Sequence, residues 1–185
     1  MLINYTDETT VMQKLFTVLP LWLSRDHRGY PSHDNSLHNQ WFNLGQKYQF
    51  GKVVGKDLKE AAKWYRKAAE QGNAFGQLKF GIMRLVGQGV PEDNKEAVKL
   101  IRKAANQGNA MGQFVLGGMY HKGLGVPEDN VTAYAWLNIA AVNGLANGKE
   151  AKDSAAKKMT PEQIAKAEAL AKEMIAKNPK LIKKP

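Results

Sequence analysis

Cysteine is absent from all 185 residues. That excludes disulfides, thiolate metal sites and a cysteine nucleophile. It leaves the compartment open, because a cysteine-free chain suits either redox environment. Long apolar runs are missing too: a membrane-spanning helix needs ~20 apolar residues, and no stretch provides them. Negative charge is scarce, with 17 Asp and Glu against 27 Lys and Arg and a net charge of +10. All of the excess lies beyond residue 37. A basic surface can meet nucleic acid or an anionic membrane, but its ordinary meaning is a solvated face. What the chain does have is 43% hydrophobic residues and enough length to bury a core.

It also has a period. "GVPEDN" occurs at 89–94 and again at 125–130, 36 positions later. Without a gap, 74–109 matches 110–145 at 16 of 36 positions, and 38–73 matches 74–109 at 15. Such self-similarity signals stacked supersecondary units. The predicted organisation is a non-repeat segment 1–37 and three repeats, 38–73, 74–109 and 110–145. Two capping helices at 146–177 and a basic tail at 178–185 follow.

Each repeat reads as two helices. The first runs through Tyr48, Arg84 or Tyr120; the second starts at Asp57, Asp93 or near Asp129. Asp57 with Glu60 and Asp93 with Glu96 have capping-box spacing. The glycine of "QGN" suits a left-handed C-terminal position. "GVPEDN" is then the connector, with Gly89 and Gly125 supplying unusual backbone angles. Pro91 and Pro127 stiffen it, Asp93 caps, and Val90 and Val126 plug it into the core. It lacks the lysine and hydroxyl of a phosphate-binding loop.

These residues resemble the Sel1-like repeat family, a relative of tetratricopeptide repeats. The resemblance is carried by "LGQKYQFGKVVGKDLKEAAKWYRKAAEQGN" (44–73), "GQLKFGIMRLVGQGVPEDNKEAVKLIRKAANQGN" (76–109) and "GQFVLGGMYHKGLGVPEDNVTAYAWLNIAAVNG" (112–144). Val53, Arg84, Leu100 and Ile101 depart from the shared pattern. The resemblance implies an all-α fold, a right-handed α/α superhelical solenoid with C-terminal capping helices. It also implies a bacterial, non-enzymatic adaptor that binds a protein or peptide, with no cofactor.

The repeats sort the first helix into two faces at 100° per residue. Positions 1, 3, 4, 7, 8 and 11 keep their character and must pack on neighbours. Positions 2, 6, 9 and 13 vary. The candidate protein-binding residues lie there: Asn43, Gln46, Phe50, Phe75, Lys79, Ile82, Met111, Val115 and Lys122. An exposed apolar groove would mark a partner site; the alternative is that these residues pack internally or under the N-terminal segment. The second helices carry a basic stripe, Lys59, Lys63, Arg66 and Lys67 matched by Lys95, Lys99, Arg102 and Lys103. This supports a second hypothesis, an electrostatic binder of nucleic acid or a membrane surface, although nucleic acid is not the expected partner.

"AYAWLNIAAV" (133–142) is apolar almost all round and needs a cover. Helices at 146–158 and 161–176 are the expected cover, the second capped by Thr160 with Pro161 and Gln163. The tail is expected to fray, and the protein to be a monomer. Residues 12–24, "MQKLFTVLPLWLS", read as a solenoid cap or as a signal-like remnant. The chain as written is thus expected in the cytoplasm, or in the periplasm or outside if that stretch derives from a signal. His27, His33 and His38 beside Asp26 and Asp34 match no common metal spacing, so no metal is expected. "SAAK" (154–157) has the Ser-x-x-Lys form of penicillin-interacting hydrolases. It lacks their other motifs, so no catalytic residue is assigned and that hydrolase stands as the third reading.

Overall fold

The computed structural model describes residues 37–51 and 55–182. The histidine-rich stretch (apart from His38) and 12–24 lie outside the described residues. Those described form an all-helical array: α1 Leu37–Phe50, α2 Leu58–Glu70, α3 Ala74–Val86, α4 Asn94–Asn106, α5 Ala110–Lys122, α6 Asn130–Val142, α7 Ala146–Ala156 and α8 Pro161–Lys177. A 3-10 turn, Pro179–Leu181, ends it. From α1 to α7 each helix packs mainly on the one before and the one after, the geometry of a superhelical solenoid, and α8 folds back onto α6.

Local chemistry explains the punctuation. Asp57 accepts from the backbone N–H of Lys59 and Glu60, Asp93 from that of Glu96, and Asp129 from that of Thr132. The full boxes expected at Asp57 and Asp93 do not close. Glu60 reaches for Lys63 instead of the cap backbone, because an exposed cation one turn on competes with a single amide. Thr160 and Gln163 do form a reciprocal box. The "QGN" corners serve both sides: Gly72 and Gly108 take φ of +84° and +80°, and the next residues, Asn73 and Asn109, cap α3 and α5 through Gly76 and Gly112.

The Asp129 carboxylate gives a testable pH effect. Partial burial pushes its pKa up, but hydrogen bonds from Thr132 and the helix amides outweigh that and hold it below the usual range. A carboxyl depressed in the folded state stabilises above its unfolded pKa of about 3.9 and loses that contribution as pH falls through the folded value. Asp129→Ala is therefore expected to cost about 1 kcal/mol at pH 7. In urea titrations that difference should shrink as pH falls below the unfolded carboxyl pKa and through the lower folded one.

"GVPEDN" does more than turn the chain. Gly89 and Gly125 both sit at φ +71°. A Cβ on Gly89 would stand 2.3 Å from the Leu58 carbonyl oxygen, and one on Gly125 2.2 Å from that of Asn94. Each corner thus rests on the first turn of the preceding repeat's second helix. Within each repeat the mid-helix glycines let the pair close: a Cβ on Gly81 would meet Ile101, and one on Gly117 would meet Leu137. Val90 and Val126 pack on the core as expected.

The apolar α6 is covered, with Ala133 to Leu137, Ile139 and Ala140 buried. α8 lies against it through Ala167 and Ala171, both at most 1% exposed. The frayed tail does not hold for its first residues. Asn178 Nδ2 donates to the Asn106 carbonyl at 2.9 Å, and Leu181 is buried. Proline and asparagine shape this turn, with the Asn178 side chain accepting from Lys180 N–H.

Candidate protein-binding site

The first helices present the variable positions, but unequally. In α1, Asn43 is exposed, and Gln46 and Phe50 are half-buried. In α3 and α5 the ends of the variable line are partly open: Phe75 and Met111 are half-buried and Lys122 is exposed. The middle is sealed. Lys79, Ile82 and Val115 each have 0% exposure, which removes them from any contact surface this structure offers. The physical reason is that a helical wheel gives direction and not what lies across. Gly76 to Met83 in α3 and Gly112 to Met119 in α5 are buried without a break, so those central turns are enclosed all round.

The second helices present the lysines of the stripe, while Arg102 is half-buried. Lys59, Lys63, Lys67, Lys95, Lys99 and Lys103 are all exposed. Lys63 pairs with Glu60, which raises its pKa, and Arg66 donates to Glu70 at 2.8 Å. Lys67 Nζ stands 4.3 Å over the Trp64 ring. Arg102 donates to the Tyr120 hydroxyl at 2.7 Å. The stripe is thus partly neutralised in the first repeat and freer in the second.

Sequence reasoning missed a set of carboxamides along the edge where the corners stack. Gln107 Nε2 donates to Gln77 Oε1 at 2.8 Å, and one repeat on Asn143 Nδ2 donates to Gln113 Oε1 at 2.7 Å. The signal was there: Gln77 and Gln113 share a repeat position, as do Gln107 and Asn143. The Ser-x-x-Lys match falls in α7, where Ser154 is buried and Lys157 exposed at the C-cap.

The model of the Sel1 repeat matches residues 42–73, 74–109 and 110–145. Among solved structures, a protective antigen of uropathogenic Escherichia coli strains with an SLR fold is similar at 36% identity and a TM-score of 0.71. That match covers 78% of this chain and 31% of the antigen. A Sel1 repeat protein from Oxalobacter formigenes is similar at 32% identity and a TM-score of 0.63, covering 76% of this chain and 58% of that one. This chain therefore spans less than two thirds of either. No curated protein sequence matches.

Proposed function

Since the chain belongs to the Sel1-repeat family, whose members generally serve as protein–protein interaction scaffolds, we propose that it is a non-enzymatic adaptor. It would bind a protein or peptide along the open part of the first-helix face. The observation that carries this reading is the uneven burial of that face. Asn43 and Gln46 in α1, Phe50 at its end, and Phe75, Met111 and Lys122 at the ends of α3 and α5 stay accessible in part, while the turns between are sealed. Half-buried aromatics and methionine beside amides suit a partner that brings apolar anchors and a polar rim. Lys122 favours an acidic one.

A second reading rests on the six exposed lysines of α2 and α4. Here the partner is an anionic polymer or membrane surface, and binding falls steeply with salt. One experiment separates the two. Wild type, a face variant (Asn43→Asp with Met111→Glu) and a stripe variant (Lys63→Glu with Lys99→Glu) are used to capture partners at low and moderate salt. Circular dichroism first establishes that all three are folded. The adaptor reading expects a protein captured by wild type and the stripe variant and reduced at least tenfold on the face variant. Capture lost with the stripe or with salt, and kept by the face variant, favours the electrostatic reading.

A further inference from the structure

The chain docks part of itself on one of its own repeat corners. At the second corner, Gln107-Gly108-Asn109, the tail lies across the glycine. A Cβ on Gly108 would stand 2.5 Å from the Lys180 carbonyl oxygen. The Leu181 carbonyl then accepts two bonds, from Gln113 Nε2 at 2.8 Å and Asn143 Nδ2 at 2.7 Å. Asn178 Nδ2 adds a bond to the Asn106 carbonyl, the end of α4. An Asn-Pro-Lys-Leu segment is thus held by main-chain and carboxamide chemistry at three points.

One repeat earlier the same fittings recur with no tail over the glycine, and the Gln107 N–H groups rest on Gln77 Oε1 and the Gly72 carbonyl. Gly72 replaces Gly108 with φ +84°, and no described atom lies within 4 Å of where its Cβ would be. Gly72 is exposed, whereas Gly108 is buried. Gln77 Nε2 donates to the Ala69 carbonyl at 3.3 Å, as Gln113 Nε2 does to that of Ala105 at 3.2 Å. Gln107 stands where Asn143 does and makes the same amide–amide bond. Being one methylene longer, it turns its N–H onto the Gly72 carbonyl at 3.1 Å, where Asn143 meets the Leu181 carbonyl. The third corner, Asn143-Gly144-Leu145, has an exposed glycine, but Lys149 stands where Gln77 and Gln113 do in the earlier repeats.

We infer that the Gly72 corner is a second peptide site, taking an Asn-Pro-X-Leu segment folded into a 3-10 turn as the tail is, whose leucine carbonyl accepts from Gln77 and from a Gln107 N–H released by the Gly72 carbonyl. The bound tail shows what such a ligand looks like on this scaffold. The site recognises a backbone carbonyl and one asparagine side chain, the latter donating to the Glu70 carbonyl as Asn178 does to that of Asn106. It lies apart from the first-helix face, so it stands or falls independently of the function proposed above.

The test is an NMR titration of the isotope-labelled full chain with an acetylated, amidated KNPKLIKK peptide. Both protein and peptide are basic, so charge works against the encounter. Saturable shifts are expected at the Gly72 amide and at the Gln77 and Gln107 side-chain amides. Gln107→Ala, an exposed change, is expected to weaken binding at least fivefold, and replacing the peptide's asparagine or leucine by alanine to do the same. Four results overturn the proposal: no saturable shift at millimolar peptide; shifts confined to Gly108 and Asn143, which means exchange with the tail; unchanged affinity in Gln107→Ala; or equal binding of a scrambled peptide.

Discussion

Truncation after Met159 is expected to leave a chain that cannot hold its third repeat. α6 carries Tyr134, Trp136, Leu137 and Ile139, all buried, and α8 is one of three helices packed on it. The Tyr134 hydroxyl lies 3.5 Å from Glu168 of α8, and burial, then Glu168 and Asp153, push its pKa up. Uncovering two such side chains costs about 3–6 kcal/mol, against a whole-domain stability of about 5–15. The truncated chain should lose helicity beyond the deleted residues, bind a hydrophobic dye and leave the wild-type elution position on gel filtration. A full-length variant with Ala171→Asp places a charge where exposure is 1% and should move the same way. Truncated protein that unfolds at the wild-type temperature would show that α8 is dispensable.

Gly125→Ala is expected to have the largest effect of any single methyl group. Two penalties coincide there. The positive φ costs an L-residue about 1–2 kcal/mol, and the new carbon would meet the Asn94 backbone at 2.2 Å, with Lys95 N 3.1 Å away. Backbone cannot rotate aside as a side chain can, so the corner must lift off the preceding repeat. A loss of about 3 kcal/mol follows, or roughly 6–12 °C in melting temperature for a domain this size. Gly144→Ala is the control: its φ is +82°, but nothing described lies within 4 Å of its Cβ position. It should cost only the conformational part. Equal losses for the two would mean that the inter-repeat contact contributes nothing.

The contrast between these glycines marks what the sequence could tell. The corners were legible because their cause is local. Asp93 and Asp129 cap within three residues, and Gly89 and Gly125 need their angles wherever the chain goes next. The need for a cover over α6 was legible as well, since a helix apolar all round must be hidden. Exposure on the first helices was not. Phe75 and Ile82 share one side of the wheel, yet one is partly open and the other sealed, because burial depends on elements far away in sequence. The basic stripe was readable because lysines spaced along one side of a helix between buried alanines face solvent wherever the helix packs. The docked tail escaped for a related reason: Asn178 meets a carbonyl 72 residues away, and no periodicity announces such a contact.

That contact changes how the array comes apart. A stack in which every unit touches only its neighbours can peel from either end, one unit at a time. Here Asn178, Lys180 and Leu181 are tied back to Asn106, Gly108 and Gln113, so fraying from α8 onward also breaks contacts to the middle of the array. Hydrogen exchange in α6 and α8 is therefore expected to be coupled to opening of the second repeat, as in one cooperative unit rather than a row of independent ones.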